Sequence, residues 1–192
     1  MVKKESSFVN MVFTLFVITL TASTALGFVY KFTKAPITAA KQAAKMKAIN
    51  EVLPEFNNLP NEEVYKIAMD NDTLFFYPAR ENSRLVGTAI ETFTNKGFSG
   101  NIKLMIGILP DGSINDIVVL EHKETPGLGD KMSKSKSNFS LQFQGINPKN
   151  FNIYVKKDGG DVDAITASTI SSRAYCDAVN RACNAYLKGG KK

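Results

Sequence analysis

Hydrophobic residues are distributed along this chain in three regimes. From Ser6 to Tyr30 there is no charged residue, and the core of that stretch, FVNMVFTLFVITLTASTALGFVY, is almost continuously apolar. A helix needs about 20 such residues to cross a bilayer, whereas the apolar core of a signal peptide runs to roughly 7–15. The length therefore predicts a retained transmembrane helix. The threonines at 14, 19, 21 and 24 lower its hydropathy, but their hydroxyls can bond back to helix carbonyls.

Next, Pro36 opens ITAAKQAAKMKAINEVLPEF, where Ile37, Ala40, Ala44, Ala48 and Val52 recur at helical spacing among good helix formers. Pro54 closes this segment, which reads as a stalk helix. The period then changes to strands broken by turn residues. A hairpin is expected from Glu63–Met69 and Thr73–Tyr77 around Asp70-Asn71-Asp72. A strand is expected over Arg84–Phe93, and a second hairpin from Asn101–Leu109 and Ser113–Glu121 around Pro110-Asp111-Gly112. Phe151–Lys156 reads as one more strand, followed by a turn at Asp158-Gly159-Gly160-Asp161. From Thr169 to Leu187 the period returns to that of a helix. Ala174, Ala178, Ala182 and Ala185 form one face, and Cys176, Val179, Cys183 and Tyr186 an adjacent apolar one. The class is α+β: an N-terminal transmembrane helix and stalk helix, then a mainly antiparallel β domain with a C-terminal helix. The boundaries expected are 1–30 for the anchor, 31–55 for the stalk, 56–188 for the domain and 189–192 for a polar tail.

Composition narrows the function classes. The 192 residues carry a net charge of +6, but the lysines are scattered and no basic stripe is interleaved with aromatics. Nucleic-acid binding is therefore not expected. Lysines flanking the apolar run suit anionic lipid headgroups better, although with Lys3 and Lys4 before it and Lys31 and Lys34 after it they do not orient the span. Cys176 and Cys183 are seven residues apart on one helix. That is roughly 10 Å of rise, beyond the roughly 7 Å Cα separation of a disulfide. They read as free thiols in a core. The single histidine, His122, has no cysteine near it, and no metal site is expected.

Three segments can carry chemistry. Asp163-Ala164-Ile165-Thr166-Ala167-Ser168-Thr169-Ile170-Ser171-Ser172 is a hydroxyl-dense loop entering a helix N-terminus. Its side chains could cap the helix, or the free N–H groups could hold a phosphate. Leu120-Glu121-His122-Lys123-Glu124-Thr125-Pro126-Gly127-Leu128-Gly129 ends a strand in a loop whose glycines allow close backbone approach to a ligand. His122 is open to either a structural or a titrating role. Gly97-Phe98-Ser99-Gly100 precedes a strand and reads as a turn.

Together, in this order, these segments resemble the FMN-binding G-type subunit of the Rnf ion-translocating oxidoreductase, a family related to the C-type subunit of the sodium-pumping NADH:quinone reductase. The likeness spans nearly the whole chain, from the N-terminal span through Val52-Leu53-Pro54, GFSG and ETPGLG to the C-terminal motif. The family's attachment motif runs Ser or Thr, Gly, Ala, Thr. Here Thr166 and Thr169 hold the outer places, with Asp163 ahead of them, while Ala167 and Ser168 replace glycine and alanine.

The resemblance implies an electron-transfer protein of a larger complex, not an independent catalyst, with FMN joined covalently to Thr169 as a phosphoester. Thr166, Ser168 and Ser171 would stand near the phosphate, and Glu124, Thr125, Gly127 and Leu128 would cradle the ring. It also implies the partners: other membrane subunits of the complex, a flavin transferase that performs the attachment, and the lipid bilayer. The complex would couple electron transfer between ferredoxin and NAD to sodium or proton movement. The soluble domain would stand outside the cytoplasm, anchored in the bacterial inner membrane by a single span. The alternatives are the C-type subunit of the quinone reductase, a flavin-free structural or binding subunit, and an independent extracellular reductase.

Overall fold

A computed structural model describes residues 7–69 and 72–189. The expected turn residues Asp70 and Asn71, the lysines at 3 and 4, and tail residues 190–192 lie outside the described residues. The chain divides after Ala43 into two compact units.

The first element, α1 (Phe8–Val52), is a single helix of 45 residues. It includes both the predicted span and the predicted stalk, because Pro36 lies inside it instead of opening a new helix. A proline removes one intrahelical hydrogen bond. The apolar run before it and the alanine-lysine run after it continue the helix on both sides. Thr14, Thr19, Thr21 and Thr24 donate their hydroxyls to the carbonyls of Asn10, Leu15, Val17 and Leu20 at 2.7–2.9 Å, which hides their polarity within the helix. Among the described residues, α1 is the one helix long and apolar enough to cross a membrane.

The second unit is built on a five-stranded antiparallel meander in chain order: β1 (Tyr65–Met69), β2 (Asp72–Glu81), β3 (Arg84–Gly97), β4 (Gly100–Ile108) and β5 (Ile114–Glu121). Asn82 and Ser83 both have positive φ and make the β2–β3 turn, the backbone pattern of a two-residue hairpin loop. Period-two side chains give the sheet two buried faces. Phe76, Ile90, Leu104 and Ile106 form one core with the C-terminal helix α2 (Thr169–Gly189) and its Tyr175, Val179 and Tyr186. Tyr77, Ala89 and Met105 form the other with the last turns of α1, through Ala48, Ile49 and Val52.

The segment between β5 and α2 has short 3-10 turns at Gly129–Met132, Phe139–Phe143 and Lys156–Asp158. The strand expected over Phe151–Lys156 is absent. Ile153 and Val155 are buried while Asn152 and Tyr154 are exposed, so the alternation is real, but no sheet edge receives it. The backbone instead closes on its own return, with a single bridge between Val155 and Val162. Asn180 of α2 donates its side-chain amide to the carbonyl of Ile153 at 2.6 Å. Cys176 and Cys183 are free and buried on α2, and burial pushes both thiols up to about 12, which leaves them inert at neutral pH.

Candidate functional site

At one end of the sheet the three chemistry-bearing segments meet. They line a cleft of about 340 Å³ formed by Phe98, Glu124, Thr125, Leu128, Gly129 and the run from Ala167 to Ser171. That volume lies in the range of cofactor sites, roughly 300–1,000 Å³.

The β3–β4 hairpin supplies the first wall. Gly97 pairs with Gly100, so Phe98 and Ser99 form the turn, and Phe98 is 67% exposed at the rim. The loop after β5 supplies the second. Its Glu124 is only 5% exposed and accepts the Ser99 N–H at 2.9 Å on Oε1. Its other oxygen, Oε2, accepts the hydroxyl of Ser171 in the first turn of α2. One buried carboxylate thus ties together all three segments. The backbone is fitted closely around it. A Cβ at Gly97 would stand 2.8 Å from Glu124 Oε1, and one at Gly129 would stand 2.7 Å from both Glu124 Oε2 and Ser171 Oγ. Gly129 closes the loop expected to cradle a ligand, whereas Phe98 is not expected from sequence as a ligand contact. Phe98 sits in a visible motif, but it has no polar side chain to mark it.

The third wall is the hydroxyl-rich entry to α2. The Ser168 N–H donates to the Ile165 carbonyl at 3.0 Å, closing a four-residue turn with Thr166 and Ala167 at its centre. Ala167 takes φ +60°, the left-handed conformation that a type II turn places at its third position. Ser172 fastens the turn to the helix. Its hydroxyl donates to the Ser168 carbonyl at 2.9 Å and accepts the Ile165 N–H at 2.9 Å.

The hydroxyls of the motif therefore have different positions. Ser172 is used in the turn and Ser171 on Glu124. Ser168 is 7% exposed. Thr166 is exposed and outside the cleft lining. Thr169, half-buried, lines the cleft, and its hydroxyl takes no partner among the described residues. It opens the helix, where the first N–H groups have no intrahelical acceptor and the dipole favours an anion. Among the predicted ring contacts, Glu124, Thr125 and Leu128 line the cleft. Gly127, with φ +79°, shapes the loop without lining it. His122 faces its own loop, its Nδ1 accepting the Glu124 N–H at 3.2 Å.

Comparison with known proteins agrees with this geometry. The FMN-binding domain family matches residues 97–184, a span that includes every cleft-lining residue. G-type subunits of ion-translocating oxidoreductase complexes are similar over most of the chain. The one from Shewanella piezotolerans is 35% identical over 168 residues, covering 82% of this chain and 79% of the relative. That from Aliivibrio fischeri is 35% identical over 185 residues, covering 90% and 86%. That from Erwinia tasmaniensis is 39% identical over 142 residues, covering 69% and 68%.

Proposed function

The chain belongs to the family of G-type subunits of ion-translocating oxidoreductase complexes, and on that premise we propose that it is an electron-transfer subunit with FMN held as a phosphoester on Thr169. The observation that carries the reading is the open hydroxyl of Thr169, which lines the cleft at the first position of α2. The residues present suit the group. The cleft has the volume of a cofactor site, and the N–H groups of the helix start suit a phosphate.

FMN, when bound, supplies reversible electron uptake, and the chain supplies attachment, orientation and electrostatics. The Thr169 oxygen would take the FMN phosphorus from FAD in the transferase's reaction, AMP leaving and the hydroxyl proton being released, and the first-turn N–H groups and Ser168 would hold the phosphate oxygens. Thr125, Leu128 and the backbone at Gly129 would form a wall for the ring, with Phe98 and Ile170 as the apolar rim of the cleft. Gly127 gives the loop its shape.

Residues 1–30 act as the anchor, 31–55 as the stalk, 56–188 as the flavin domain and 189–192 as a tail. We place the domain outside the cytoplasm, passing electrons to membrane subunits of the same complex. The test is to co-express the full chain with a flavin transferase, purify it in detergent and unfold it. Retained yellow colour and a mass increase of one FMN, both lost in Thr169→Ala, are expected. Colour that washes away on unfolding, or that survives Thr169→Ala, overturns the assignment.

A further inference from the structure

We propose that Glu124 is the fixed charge that holds down the reduction potential of a flavin in this cleft, a role that rests on reading the cleft as the flavin site. Among the residues lining the cleft, Glu124 is the only ionisable one. It is 5% exposed, and its side-chain hydrogen bonds come from the Ser99 N–H and the Ser171 hydroxyl, which are dipoles and not charges. Among the described residues it has no ion-pair partner. Of the cations on the strand and helix that flank it, Lys96 pairs with Asp177 at 2.6 Å and Arg173 with Asp158 at 2.7 Å.

A buried carboxylate without a counter-ion is costly, and such groups are rare unless they serve a purpose. Stability of the cleft does not require the charge, because a neutral group of the same shape would accept the same N–H. What the charge does is act on whatever fills the cleft.

The direction of that action follows from charge balance. When two electrons arrive with one proton, one net negative charge is left on the cofactor. A fixed carboxylate on the cleft wall repels that charge and disfavours reduction. For a unit charge about 10 Å away at an effective dielectric near 20, the effect is roughly tenfold in the equilibrium between reduced and oxidised forms. The geometry keeps the charge in place. Gly97 and Gly129 close over the two carboxylate oxygens, so the side chain has no room to swing toward solvent.

The experiment is a reductive titration of the flavin-loaded full chain in detergent, with dithionite and reference dyes, followed by visible absorbance. Glu124→Gln keeps the shape and removes the charge. Glu124→Met is a second neutral variant, which makes neither hydrogen bond. Glu124→Asp keeps the charge. Either folded neutral variant is expected to favour the reduced form by about tenfold, a rise of about 30 mV for two electrons, with the aspartate variant close to wild type. A neutral variant that carries covalent flavin at the wild-type potential overturns the role, as does an aspartate variant that shifts as far as the neutral ones. A wild-type chain that takes up no flavin overturns the site itself, so the two failures are distinguishable.

Discussion

The carbonyl of Val52, the last residue of α1, occupies the place where residue 107 would carry a side chain. A Cβ on Gly107 would fall on that oxygen and on the adjoining carbonyl carbon. The same oxygen accepts the side-chain amide of Asn115 at 2.8 Å. The end of the helix is thus seated on β4 and β5 by backbone contact as well as by its apolar face.

Gly107→Ala is therefore expected to destabilise the sheet unit by about 2–3 kcal/mol, the upper part of the range for overpacking, because the obstacle is backbone and cannot turn aside. Urea denaturation of the detergent-solubilised chain measures it. A loss below about 0.5 kcal/mol would mean that the helix end shifts freely on the sheet.

Ala167 carries the opposite expectation. It holds φ +60° with a side chain that prefers other conformations, at a turn centre open to solvent. Glycine there relieves roughly 1–2 kcal/mol of left-handed strain and returns about 0.4–1 kcal/mol through the freer unfolded chain. A net gain of about 0.5–1 kcal/mol should appear as a higher denaturation midpoint in Ala167→Gly. A lower midpoint would contradict the strain argument.

Acid sensitivity is expected at Asp177. Burial works against its charge, but the Lys96 ammonium at 2.6 Å and the Thr94 hydroxyl at 2.7 Å outweigh it and hold the carboxyl below its usual value. A depressed folded value means that the stabilisation is complete above the unfolded value, about 3.9, and is lost as pH falls below it toward the folded value. Asp177→Asn should cost about 1 kcal/mol at about pH 7, and the gap to wild type should narrow below about pH 4. A gap that stays constant from about pH 7 to about pH 3 would rule out the linkage.

Much of this architecture was legible in the chain. The helix periods at both ends, the alternation of β2 to β5 and the Pro-Asp-Gly turn each report a local preference that the fold obeys. Phe151–Lys156 misled because alternation reports which side chains are buried, not whether another strand is there to pair. Pro36 misled because one missing hydrogen bond is small beside long helix-forming runs on both sides. The β2–β3 turn gave no signal, since Asn82 and Ser83 take positive φ without a glycine between them. Within the cleft, the hydroxyl motif and Glu124 stood out by their chemistry. The link between Glu124 and Ser171 could not, because it joins positions 47 residues apart and exists only after folding. The different positions of the five hydroxyls, with Ser171 and Ser172 engaged and Thr169 open to the cleft, are likewise a product of the turn and not of composition.

The antiparallel meander completes itself from neighbours in the chain, whereas α2 must return across it, as when the Thr92 hydroxyl reaches the carbonyl of Ala178, 86 residues on. The wall bearing Thr169 therefore forms only when positions far apart in the chain have met. Until α2 has docked, the glycine loop has nothing opposite it. A partner that reads the assembled cleft therefore recognises the folded unit and not the linear motif.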